Sequence, residues 1–359
     1  MESTKTLLLK RRDVADLLTI EECIVAVESA FKSHGEGNAM PPKVLGIHTD
    51  KGGFHIKAGV LGLSRTYFAA KANANFPGNP KQHGLPTIQG IIIVCDGSNG
   101  RLLALMDSIE ITIIRTGAAT AVAAKYLAPV DAKTITICGC GNQGRISLKA
   151  LMKVISFEKV YAFDIDESQV QKFNKEFDKE LEVIPIKANE LARALRQSQV
   201  CVTCTPSRQP FIRTEDIMPG TFIAAVGADS EEKQELCSDL LASNKIVVDL
   251  VEQASCIGEL HHAIGQGKVT LEKVHAELGA IVAGKKAGRE SKEEVIIFDS
   301  TGIALQDVAA AAIVFEKALA GRIGMNIDFG EEKSGYDNSE VLKRNQKAAS
   351  VLSSFFPFR

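Results

Sequence analysis

Seven short apolar runs punctuate the chain between residues 134 and 300: TITIC (134–138), KVYAF (159–163), EVIPI (182–186), QVCVTC (199–204), TFIAAVG (221–227), KIVVDL (245–250) and EVIIFDS (294–300). Helix-length segments of mixed polarity separate most of them. Apolar runs without strict alternation suit strands buried on both faces, and their alternation with helices suits parallel pairing. The pattern predicts an α/β fold, with a Rossmann-type doubly wound parallel sheet over residues 126–304.

The flanking regions have a different rhythm. Thr19 followed by Glu22 forms a capping-box signature that opens a helix over Ile20 to Gly35. Strand-like pieces follow, among them KVLGIHT, GFHIKAG, TYFAAKANA and PTIQGIIIVCDG. CDGSNGRLLAL reads as a hairpin. RTGAATAVAAKYLA then predicts a helix leading into the first parallel strand. After residue 300, GIALQDVAAAAIVFEKALAGRI predicts a long amphipathic helix able to return to the first region. Residues 1–125 and 305–359 are therefore expected to form one α+β domain, with a polar arm over 331–346. One strand attracts notice. In GGFHIKAG, period-two alternation puts His55 and Lys57 on the same face, toward solvent or toward a pocket for an acidic small molecule.

Composition narrows the function classes. The 359 residues carry a formal net charge of −2, no Trp, and no basic tract interleaved with aromatics, which argues against nucleic acid as a partner. No apolar run reaches the roughly 18 residues of a membrane span, and the first residues lack a signal-peptide pattern. The eight cysteines sit mostly in predicted strands. CVTC places its two thiols inside a strand, where positions i and i+3 face opposite ways. Reduced cysteines and a cytoplasmic protein are expected.

Candidate chemistry starts at TITICGCGNQGR. The glycines Gly139, Gly141 and Gly144 form G-x-G-x-x-G directly after a strand and at the opening of a helix, and Asp164 ends the next strand about 20 residues on. Such a turn lets backbone N–H groups and a helix N-terminus meet a pyrophosphate. A carboxylate at Asp164 accepts from a ribose and repels a 2′-phosphate, so NAD is expected over NADP, with NADP still possible. Ligands of these sheets lie beyond the carboxyl ends of the strands, which singles out Thr205 with Pro206, Gly227-Ala228-Asp229 and Asp299-Ser300-Thr301. Asp229 follows an apolar strand, where partial burial would raise its pKa toward a useful range for proton transfer. It could equally cap a helix starting near Glu231.

The segments MPPKV (40–44), KANANFPGNP (71–80), GLPTIQG (84–90), RTGAATAVAAKYLA (115–128), GCGNQG (139–144), TCTPSRQP (203–210), VGADSEEKQEL (226–236), VHAELGAIVAGKKAGRES (274–291) and FDSTGIALQDV (298–308) resemble the ornithine cyclodeaminase/mu-crystallin family. GKKAGRES and FDSTGIALQD are most similar to its alanine dehydrogenase branch. The resemblance implies a homodimer. In it the domain made from both chain ends holds the substrate and the dimer contact. It also implies hydride transfer between an amino-acid Cα and nicotinamide, through an imine. By position, Lys71 and Asp229 resemble the catalytic pair. Arg115 resembles the arginine at cofactor phosphates and substrate carboxylate, and Lys43 the carboxylate-binding base. Thr87, Thr116, Asn142, Gln143, Asp164, Thr205, Lys233 and Ser300 resemble cofactor contacts, with the three glycines and residues 226–228. Thr301 joins the substrate side.

Where the cyclodeaminases carry a glutamate in the GGFHIKAG strand, this chain has His55, and Lys57 aligns with a methionine. Lys43, Lys57, Lys71 and Arg115 would then converge beside His55. Like charges in a partly desolvated site repel strongly, so the expected substrate is a neutral or acidic amino or imino acid rather than ornithine. The expectation is an NAD(P)-dependent oxidoreductase of the alanine dehydrogenase or ketimine reductase type. The alternatives are an ornithine cyclodeaminase, which recycles its NAD, and a non-catalytic mu-crystallin-like binding protein.

Overall fold

The computed structural model describes residues 5–329, so the expected arm at 331–346 lies outside the described residues. Two sheets organise the chain. The first has seven strands, β1 (Thr6–Leu9), β2 (Lys43–Thr49), β3 (Gly52–Gly62), β4 (Thr66–Asn75), β5 (Ile88–Asp96), β6 (Leu102–Asp107) and, from the far end of the chain, a strand Met325–Ile327. Its order is Met325–Ile327, β1, β6, β5, β4, β3, β2. The β2–β3–β4–β5–β6 meander is antiparallel, as the hairpin signals imply, whereas β1 joins β6 in parallel.

The second sheet is wholly parallel and has eight strands: β7 (Thr134–Cys138), β8 (Lys159–Phe163), β9 (Glu182–Pro185), β10 (Val200–Thr203), β11 (Phe222–Ala225), β12 (Lys245–Val248), β13 (Val274–Glu277) and β14 (Ile296–Asp299). Its order is β13-β12-β14-β11-β10-β7-β8-β9. The predicted apolar runs are these strands. Residues of β10, β11 and β14 are all buried, as double-sided coverage by helices requires. Strand order reverses between β7 and β10, which places a crevice at their carboxyl ends.

Two helices, Ile109–Leu127 and Ala304–Gly321, pack on the inner face of the first sheet, and a third, Ile20–Glu36, packs on both of them. Ile20–Glu36 begins with the capping box, Thr19 and Glu22 each bonding the other's backbone N–H, and stops at Gly37 in the left-handed region (φ 82°). Ile109–Leu127 starts six residues before the predicted Arg115. The β-branched stretch Ile111–Ile114 reads as strand locally, but burial of Ile111 against the core favours helix. Ala304–Gly321 returns to pack on β3 and β4, with Ala304, Leu305 and Val308 against Gly59.

The outer face of the first sheet is apolar and open. Register sets Leu45 beside Ile56, Ala72 and Ile91, and Ile47 beside Phe54. Leu45, Ile47, Phe54, Ile91 and Ile93 remain exposed. Such a contiguous patch marks an interaction surface more often than a solvated face. Among the described residues no helix is long and apolar enough to cross a membrane, and no cluster of metal-ligating side chains occurs. All eight cysteines are unpaired.

Candidate active site

Alternation along β3 turns His55 and Lys57 to the inner face, as the sequence implies, and pairing with β4 sets Lys57 directly opposite Lys71. Both lysines are buried (9% and 3% exposed). Two ammonium groups side by side in a core need compensation, and each finds it differently. Lys71 Nζ donates to Asp307 Oδ1 at 2.8 Å, and Asp307 also meets Arg115 Nε at 3.2 Å. Lys57 Nζ donates to the carbonyls of Thr301 (2.9 Å) and Gly302 (2.7 Å). Arg115 completes the cluster through Nη1 to Gln306 Oε1 at 2.8 Å.

The electrostatics follow from burial. Desolvation pushes the Lys71 pKa down to about 7; Asp307 pulls it back up, while Arg115 and Lys57 push the same way as burial. Lys57 is lowered too, first by burial and then by Arg115. Burial alone would raise the Asp307 carboxyl, but Lys71 and Arg115 outweigh it and keep it low. Asp307 was not singled out from sequence. An acid inside the run ALQDVAAAA was the available signal.

The 300–302 loop ties this cluster to the carboxyl ends of the parallel strands. Ser300 N donates to Ala225 O at the end of β11. Asp249, just past β12, accepts Thr301 Oγ1 at 2.7 Å and Gly302 N at 2.5 Å. Gln253 Nε2 donates to Thr301 Oγ1 at 2.8 Å. The Thr301 hydroxyl is thus engaged inside the protein, and the loop sets the cations against the crevice between the sheets.

The other catalytic candidate sits differently from expectation. Asp229 lies past β11, and its side chain is 54% exposed, with Lys233 Nζ at 2.6 Å. Surrounding protein alone would raise its pKa; Lys233, with Lys57 and His55 behind it, holds it below the ordinary carboxylate value instead. The expected upward shift is therefore corrected. No helix starts near Glu231 either. The segment 229–236 is irregular because Glu235 is drawn inward. Its Oε1 accepts Thr203 Oγ1 (2.5 Å), Thr205 N (2.6 Å) and Thr205 Oγ1 (2.7 Å), and Oε2 accepts Gly227 N (2.9 Å). This one carboxylate, with its pKa pushed up to about 7 by burial, pins the loops after β10 and β11. Lys43, His48, His55, Asp229, Glu252 and Gln253 line a cavity of about 250 Å³ between β2–β3 and the segments after β11 and β12. Lys43 is exposed and 3.7 Å from Glu252. Burial lowers the pKa of His55.

The dinucleotide turn is built as its glycines require. Gly139 has φ +100°, and a Cβ on Gly144 would lie 1.9 Å from Gly139 O. A Cβ on Gly141 would meet no atom within 4 Å. Asn142 opens the helix Asn142–Leu151, and Gln143 Oε1 is buried without a protein partner. Asp164 accepts Cys140 N and Asp166 N, at 2.8 and 2.9 Å, so it braces the turn. A cavity of about 570 Å³ opens there beside Ile165, Pro185 and Lys187. An open glycine cradle, a helix N-terminus and an orphaned amide oxygen fit a dinucleotide. Val226, Gly227 and Ala228 are buried at the same edge. Thr116 spends its hydroxyl on Thr112 O (2.8 Å), and Thr87 offers its carbonyl to Phe76 N (2.8 Å). His275 lies in β13 and bonds Ala287 O. His262 is half-buried on Lys233 O.

The family model for the ornithine cyclodeaminase/mu-crystallin family matches residues 4–322. The chain belongs to this family. It is 41% identical over 328 residues to an alanine dehydrogenase of Archaeoglobus fulgidus (90% of this chain, 99% of the relative). It is 36% identical to an iminosuccinate reductase of Paracoccus denitrificans (87% and 96%). An archaeal alanine dehydrogenase dimer with bound NAD superposes with a TM-score of 0.86 at 40% identity, over 90% of this chain and 99% of that one. The expectations of an α/β fold and an NAD-dependent oxidoreductase of this family hold.

Asp299, a strand-end candidate from the sequence, is buried, and beside it lie three buried acids that sequence reasoning missed: Glu235, Asp249 and Glu259. Asp299 Oδ2 accepts Leu260 N at 2.8 Å, and Oδ1 has no partner. Burial, with Asp249 adding to it, pushes its pKa up to about 8, against roughly 3.9 unfolded. Between those values the folded state binds more protons. The stability that this neutral carboxyl contributes is complete below about pH 4 and is lost as pH rises toward 8. Asp299→Asn should abolish that loss. Thermal melts should show the variant gaining on the parent from pH 5 to pH 8; a pH-independent difference would remove Asp299 as the cause.

Proposed function

We propose that this protein oxidises a small amino acid with a neutral side chain to its imino acid, and reduces the imine in reverse, with NAD. The observation that carries the reading is a buried lysine near neutrality, Lys71, held beside Arg115 against the carboxyl edge of a dinucleotide-binding sheet. Gly139, Gly141, Gly144, Asn142 and Gln143 would hold the pyrophosphate, and Asp164 the ribose. NAD, when bound, supplies the hydride acceptor. Arg115, with the donor that Lys57 keeps free, takes the substrate carboxylate; Lys43 stands at the cavity mouth. Neutral Lys71 Nζ takes the proton from the substrate ammonium, so that nitrogen can form the C=N bond as hydride leaves Cα. Asp229, ionised beside Lys233, passes protons to solvent.

The side-chain cavity decides substrate class. Glu231 and Glu252 line it with Asp229, so Lys43, His48 and His55 do not make it cationic, and His55 is neutral near pH 7. This favours a neutral side chain over an acidic one. The same carboxylates favour, as a second reading, the cyclisation of ornithine with release of ammonia and no net NADH. The half of the chain made by 1–125 and 305–359 carries the substrate cluster. Two copies would pair through its apolar outer face around Leu45, Ile47, Phe54, Ile91 and Ile93; the similar archaeal alanine dehydrogenase is a dimer.

Absorbance at the NADH band tests this. NAD with L-alanine, L-aspartate, L-proline or L-ornithine is assayed together with ammonia release. Net NADH from a neutral amino acid is the expected result. Ammonia from ornithine without net NADH would replace it with the cyclodeaminase reading, and no turnover of any pair would leave a binding protein.

A further inference from the structure

The Ala304–Gly321 helix places one acidic side chain in its first turn, Asp307, and the core offers that carboxylate no solvent (2% exposed). It reaches across to two different elements. Oδ1 takes Lys71 from β4 at 2.8 Å and Arg115 from the Ile109–Leu127 helix at 3.2 Å, and Lys57 of β3 stands opposite Lys71 in register. Oδ2 is buried without a partner, as is Gln306 Nε2 on the adjoining position. From the remaining helix packed here, Cys23 contributes a buried thiol, its pKa pushed up to about 12 and therefore neutral. Asp307 is thus the anion at the centre of three cations. Desolvation offsets much of a buried ion pair's attraction, so that well-packed apolar side chains are often at least as stabilising; the placement of Asp307 points to the site rather than to stability.

We infer that Asp307 is a positioning residue for the reaction: it fixes the Lys71 amine and the Arg115 guanidinium on one shared oxygen, so that proton acceptor and carboxylate anchor keep a set spacing. This rests on the functional reading above, in which Lys71 accepts a proton. Asp307 itself takes no proton in the reaction. Lys71 and Arg115 hold it ionised, and its one bonded oxygen is occupied by both. The arrangement also sets the pH at which Lys71 becomes available. Of the groups facing Lys71, Asp307 alone favours the ammonium, whereas Arg115 and Lys57 oppose it.

The test compares the full-length parent with Asp307→Asn and Asp307→Glu, measuring kcat and KM from pH 5.5 to 9.5 for NAD-linked oxidation of the best amino acid among alanine, aspartate and proline. Removing the negative charge takes away the stabiliser of the Lys71 ammonium. The acid limb for Asp307→Asn should move to lower pH by about one to two units, the span an adjacent opposite charge commonly gives, while kcat falls roughly 10- to 100-fold. Asp307→Glu keeps the charge and displaces it. Its kcat should fall at least about tenfold with the acid limb in place. NADH fluorescence titration, which reports the distant glycine turn, should be unchanged in both. An unmoved acid limb in Asp307→Asn, or full activity in Asp307→Glu, overturns the inference. If Asp307→Asn does not fold, Asp307→Glu alone decides. A parent inactive on every amino acid overturns the functional reading instead, and the inference with it.

Discussion

Lys71→Met should lower NAD-linked amino-acid oxidation by roughly 100- to 10,000-fold, the span of a lost general base, while NADH still binds. The magnitude follows from what the site would lose. Burial with Arg115 and Lys57 nearby brings the Lys71 amine to about 7, so near neutral pH about half of it can accept a proton. A surface lysine offers roughly one part in 2,500, given its ordinary pKa near 10.4. The sign with pH is fixed as well: kcat should rise as pH passes upward through about 7. Lys71→Arg separates acceptance from charge. The guanidinium preserves a cation for Asp307 but stays protonated, so it should lose turnover as Lys71→Met does. Measuring kcat for both variants at pH 6, 7 and 8 checks this. An active Lys71→Arg enzyme would move the acceptor role to Asp229, whose carboxylate Lys233 holds ionised.

The parallel sheet was readable because strands buried on both faces write themselves as unbroken apolar runs. β10, β11 and β14 are such strands, and their carboxyl ends pointed to Thr205, Gly227 and Ser300. His55 and Lys57 were readable as one face by period two. What Lys57 does with that face was not. Its ammonium ends on the Thr301 and Gly302 carbonyls, 244 and 245 residues away in sequence, and no local pattern encodes that contact. The same holds for Asp307, a helical residue by every local signal, whose meaning comes from Lys71. Segment 229–236 shows the opposite error. SEEKQEL has good helix propensity, yet four hydrogen bonds to the Glu235 carboxylate outweigh it. Tertiary demand overrode local preference where the chain needed a brace for the loops after β10 and β11.

Gly144→Ala and Gly141→Ala should both cost NADH affinity, for different reasons, and the difference separates a cofactor site from a tightly packed turn. A methyl on Gly144 would stand 1.9 Å from the Gly139 carbonyl. That carbonyl belongs to the turn itself, already at φ +100°, so the turn must open and its N–H groups lose their common aim. NADH affinity should drop at least about 100-fold, close to 2.7 kcal/mol at about 1.4 kcal/mol per decade, and the melting temperature should fall with it. Gly141 has an ordinary φ of −72°, and a methyl there meets no protein atom within 4 Å. Gly141→Ala should therefore melt like the parent and still bind NADH at least about tenfold more weakly, because its methyl occupies the space a pyrophosphate approaches. Fluorescence titration beside thermal melts gives both quantities. If Gly141→Ala bound NADH like the parent, the glycine would be there for the backbone alone, and the phosphates would have to lie elsewhere along the crevice.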